Sequence, residues 1–152
     1  MSSKSEVYSK LRRSTIIGFI IGFGFWWGSK TVISLFPGLH DIEVLYNIVA
    51  ALGGLGSVYW IYNLTRMMKF RKELKKDKIL CETLNDEYYR HLRLKSFYKS
   101  YFVLIILVAA ITFTNEFFTK LSVESVINLM LFAAAISPSL FILILDNEKS
   151  YE

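Results

Sequence analysis

The segment RMMKFRKELKKDKILCETLNDEYYRHLRLKSFYK, residues 66–99, decides how the rest of the chain is read. It holds eleven of the eighteen Lys and Arg residues, with five acids set among them. On each side lie two long apolar runs almost free of charge. Lys and Arg beside membrane spans are retained on the cytoplasmic side. Four spans around a central basic segment therefore predict a membrane protein with that segment, and both termini, in the cytoplasm.

The totals agree. The 152 residues are 53% hydrophobic with a net charge of +5, above ordinary soluble composition, and the excess falls in runs. The length suits one domain, 1–152. The central segment alone carries +6 (eleven bases less five acids), so the basic balance is local. Insertion bias accounts for it, and nucleic acid is not an expected partner. Lys4, Lys10, Arg12 and Arg13 precede the first apolar run. No small-residue cleavage site follows that run, so an uncleaved span is expected rather than a signal peptide. A mitochondrial presequence is the weaker alternative, since Glu6 interrupts the basic stretch.

The spans are expected at about 15–36, 44–64, 100–118 and 125–145, each near the 20 residues a bilayer core requires. Pro37 and Gly38 turn the chain after the first. Neither Gly nor Pro occurs between Ser57 and Pro138. The second and third helices are thus expected to run on as a cytoplasmic helical hairpin over 66–99, breaking near 81–85. There Thr83 and Asp86 have capping-box spacing. Met67, Phe70 and Leu74 share one helix face and are expected to pack on Tyr89, Leu92 and Leu94. Lys72, Lys75 and Lys76 would then point outward, to anionic lipid or a partner. The fold class is all-α, four transmembrane helices.

Several small-residue pairs are spaced for close helix approach: Gly18 with Gly22, Gly24 with Gly28, Ala50 with Gly54, and Gly53 with Ser57. Glycine is also simply common in membrane helices. Around Gly53, Gly54 and Ser57 a broken helix at a transport site is the sharper alternative, with 137–139 its only counterpart. Asn47, Asn63, Asn115, Glu116 and Asn128 are polar residues within or at the rim of spans. They serve as interhelical hydrogen-bond partners or as the lining of a path between protomers. Pro138 is expected to kink the fourth span. Lys30 and Glu116 are expected at the outer rim, and Ser122 is placed to cap the fourth helix.

No catalytic motif is present. Cys81 is the single cysteine, and His40 and His91 fall on opposite sides of the expected membrane, so neither an intrachain disulfide nor a four-ligand zinc site is expected. No cofactor is expected. Glu87 and His91 lie one turn apart beside Tyr88 and Tyr89, an arrangement more often a solvated pair than a general base. The layout resembles many small four-span proteins of bacterial inner membranes, including accessory subunits and immunity proteins, and that membrane is the expected location. The expected function is a non-enzymatic accessory or regulatory subunit in a homo-oligomer or membrane complex. It would act through its glycine faces and basic hairpin, on a bilayer with anionic cytoplasmic lipid. A small oligomeric channel or transporter is the alternative.

Overall fold

The computed structural model describes residues 4–74, 87–118 and 120–148. It is all-helical in these residues: α1 Lys4–Leu35, α2 Glu43–Leu74, α3 Glu87–Phe117 and α4 Val123–Glu148, with a 3-10 turn at Pro37–Asp41. Each α-helix contains a segment long and apolar enough to cross a membrane, within Ser9–Leu35, Glu43–Lys69, Tyr89–Phe117 and Val123–Asp146. All four expected runs are therefore helices of spanning length. Three extend well past the runs, because charged side chains end a span without ending a helix. The expected break near 81–85 lies outside the described residues, as do Lys75 and Lys76.

Local chemistry sets the turns. Pro37 removes a backbone donor and disfavours helical geometry at Phe36, which has φ −121° and ψ 76°. α1 therefore stops at Leu35. At the start of α4 the Ser122 hydroxyl accepts the Ser125 N–H at 3.1 Å, and Asn115 Oδ1 accepts the Leu121 N–H at 2.7 Å. Ser122 is thus the cap expected of it. α4 continues as helix through Pro138.

The short connections make α1 and α2, and likewise α3 and α4, antiparallel neighbours. The two pairs then join through α1 and α4, giving the order α2–α1–α4–α3. One end of this row, here the far end, carries the two short connections. The other, the near end, carries the start of α1 and the end of α4.

The two middle helices of the chain thus occupy opposite edges of the row and make no substantial contact among the described residues. Met67 and Leu94 are exposed, and Leu92 instead faces a small cavity shared with Arg12, Ile16 and Ile142. Met67 does not pack on the returning arm among the described residues, while the expected contacts of the Phe70 and Leu74 side chains lie outside them. Both edge helices are already partnered, α2 by α1 and α3 by α4.

Candidate functional site

The seam between α1 and α2 is built from absent side chains. A Cβ on Gly22 would lie 2.8 Å from Trp60 Cα, and one on Gly56 would lie 2.6 Å from the Trp26 nitrogen. Gly53 opposes Ser29, and Gly18 makes room for the Asn63 side chain. Backbones approach this closely only where no Cβ intervenes. Asn63 is buried at 3% exposure and donates to Tyr59 O at 2.9 Å, so it belongs to the seam rather than to any path. Trp26 and Trp60 meet across the same seam with centroids 4.8 Å apart and ring planes tilted by 35°.

The predicted small residues therefore divide. Gly18, Gly22 and Gly53 are used inside the chain, between α1 and α2. Gly54 faces outward with nothing within 4 Å, and Ser57 is half-buried with its hydroxyl on Gly54 O. Gly24 is likewise open, and Gly28 meets Phe132 of α4. The sequence reading missed Gly56, Ser96 and Ser100. Both serines are fully or nearly buried and bond back to Leu92 O and Ser96 O of their own helix. Their four-residue spacing was a legible signal among larger neighbours.

On the other flank of α1, polar groups close the gap to α4. The Trp27 indole N–H donates to Asn128 O at 3.2 Å, and the Ser125 hydroxyl donates to Ser34 O at 2.5 Å. At the near end Arg12 pairs with Asp146 at 3.1 Å, each side chain 21% exposed, while its guanidinium lies 3.9 Å from the centroid of Tyr89. One arginine thus ties α1 to both α4 and α3.

The remaining polar candidates gather at the far end. Asn47 and Glu116 are exposed, Asn115 closes the second connection, and Asn128 lines a cleft with Lys30 and Glu124. Lys30 is exposed there. Pro138 stands apart, in the other half of α4. At the near end Lys72 of α2 is exposed, as are Lys10, Lys69, Arg90 and Lys95. No group of three or more metal-ligating side chains occurs among the described residues. Neither a protein-family model, nor a curated protein, nor a solved structure matches the chain.

Proposed function

We propose that this chain is a multi-pass protein of a bacterial-type inner membrane, with both termini and residues 66–99 in the cytoplasm. We further propose that it is a non-enzymatic accessory or regulatory subunit of an oligomer or larger complex. The observation that carries the reading is the surface of the two edge helices. α2 turns Val44, Ile48, Leu55, Val58 and Ile61 outward, and α3 turns out Tyr101, Ile106 and Phe113. Soluble monomers seldom expose contiguous apolar area on this scale. A bilayer covers it without cost, and partner helices can replace lipid on either edge.

Charge supports the orientation. The far end displays Asp41, Glu43, Glu116 and Glu124 against Lys30 and Lys120, while exposed bases crowd the near end. Because α2 and α3 lie at opposite edges of the row, the exposed bases Lys69 and Lys72 of α2 and Arg90 and Lys95 of α3 flank α1 and α4. Each such base contributes about 1 kcal/mol beside an anionic surface, enough together for firm association with lipid headgroups or an acidic partner.

The transport alternative is weaker. Asn47, Asn115, Glu116 and Asn128 all stand within about two turns of the far end, so a path lined by them stops short of the middle. Gentle-detergent purification from the native membrane tests the proposal. A stoichiometric partner supports it, and a homogeneous ring of this chain alone favours a channel. Reversing Lys72, Lys75 and Lys76 to Glu should abolish function while insertion persists. A silent triple reversal, together with loss of activity on changing Asn115, Glu116 or Asn128, would overturn the accessory reading.

A further inference from the structure

At the far end α1 and α4 part around a cleft of about 500 Å³, whose polar lining is Lys30, Ser34, His40, Ser122, Glu124 and Asn128. Lys30 and Glu124 bring opposite charges to this one space. They make no ion pair with each other, and each remains without a carboxylate or ammonium partner among the described residues. Lys30 Nζ lies instead 4.9 Å from the ring centroid of Trp27 and 5.4 Å from that of Trp26.

An aromatic track leads away from that ammonium along the same face of α1. Trp27 stacks on Phe23 at 5.8 Å with planes 2° apart, and Phe23 stacks on Phe19 at 5.5 Å. All three rings are only half-buried. From Lys30 to Phe19 the helix rises about 16 Å at 1.5 Å per residue. That is close to half of the roughly 30 Å hydrocarbon core. A charged cleft at one end of a half-bilayer apolar track has the dimensions of a single lipid of one leaflet.

We propose that the cleft binds the headgroup of one phospholipid bearing a primary amine, of the phosphatidylethanolamine type. This rests on the four-span reading above. Lys30 takes the phosphate, Glu124 takes the ammonium, and an acyl chain lies along Trp27, Phe23 and Phe19. A zwitterion satisfies both charges at once. A phosphatidylglycerol headgroup would set a second anion near Glu124 and leave that carboxylate unpaired. A trimethylammonium headgroup donates no hydrogen bonds and is recognised by aromatic cages, whereas the Glu124 wall offers a carboxylate, a hydroxyl and an amide.

The test is native mass spectrometry of the full chain, extracted in mild detergent and loaded with equal amounts of phosphatidylethanolamine, phosphatidylglycerol and phosphatidylcholine. The wild type should retain one phosphatidylethanolamine about tenfold over either competitor, a difference of about 1.4 kcal/mol. Lys30→Gln should lower retention of phosphatidylethanolamine and phosphatidylglycerol alike, about tenfold. Lys30→Arg, which keeps the charge over the indoles, should stay within about twofold of wild type and so guards against a folding artefact. Glu124→Gln should erase the preference for phosphatidylethanolamine over phosphatidylglycerol, while Lys120→Gln outside the cleft changes nothing. Glycerophosphoethanolamine, the same headgroup without acyl chains, should not compete at equal concentration; equal competition would overturn the lipid in favour of a soluble ligand. Equal retention of all three lipids by the wild type, unchanged retention in Lys30→Gln, or a preference over phosphatidylglycerol that survives Glu124→Gln also overturns the proposal. Alkaline carbonate extraction separates the two readings. A chain released from the membrane fails the four-span reading, and one that stays but selects no lipid fails only this proposal.

Discussion

The two flanks of α1 reach the same end by opposite means. Toward α2, Gly22 and Gly56 let backbone meet backbone, with Trp60 and Trp26 filling the space beside them. Toward α4, the indole of Trp27 and the hydroxyl of Ser125 bridge the helices by hydrogen bonds to carbonyls. The first flank is specified by what is missing, so any added atom is felt at once. The second is specified by discrete bonds, which can be lost singly. Seams of these two kinds differ in tolerance even within one helix row.

That contrast predicts a graded series, read as unfolding free energy in detergent. Gly56→Leu should be the most damaging single change, because its Cβ would sit 2.6 Å from the Trp26 backbone nitrogen, which cannot swing aside. A loss of about 3 kcal/mol is expected, and a near-neutral result would break the glycine half of the comparison. Arg12→Ala comes next. It leaves Asp146 without its partner and removes the contact over Tyr89, and about 2 kcal/mol is expected for a pair lying between the exposed and fully buried limits. Ser125→Ala should cost about 0.6–1.7 kcal/mol, the range for hydrogen bonds between membrane helices. A cost as large as that of Gly56→Leu would show that the two flanks do not differ. Gly54→Ala is the smallest and has the opposite sign. Gly54 faces open space, so alanine should stabilise α2 by about 0.5–1 kcal/mol through backbone entropy. If the same change also strips a co-purifying partner, the outer face of α2 is where that partner sits.

Much of the helical plan was written in hydropathy alone. Four apolar runs, a Pro-Gly turn and the Ser122 cap each act through neighbours a few residues away, and each was legible. The pairing of helices was not. Gly18 and Gly22 lie on a different face of α1 from Gly24 and Gly28, since six residues advance an α-helix by about 600°. Identical spacing therefore gave one pair a tight seam and the other an open face and a loose contact. Nothing local announced that Arg12 would meet Asp146, 134 positions along the chain. The edge positions of α2 and α3 follow from the cross-bonding of α1 to α4, which again depends on residues about a hundred apart. The indoles of Trp26 and Trp27 sit four and three residues before Lys30 on α1 and were legible as helix neighbours, but the charge of Glu124 in the same cleft emerges only when α1 and α4 are set side by side.

In the proposed topology the chain crosses the membrane four times, with the termini and the basic arms on the cytoplasmic side. Gly38 lies exposed in the first far connection, with no atom closer than 4.0 Å to an added Cβ. A Gly38→Cys variant should accept a side chain there without strain. Intact cells carrying it, treated with a membrane-impermeant thiol reagent, should be labelled at position 38 and not at the native Cys81 until the membrane is permeabilised. Labelling of Cys81 in intact cells, with Gly38→Cys protected, would contradict the orientation and with it the cytoplasmic role proposed for the basic arms.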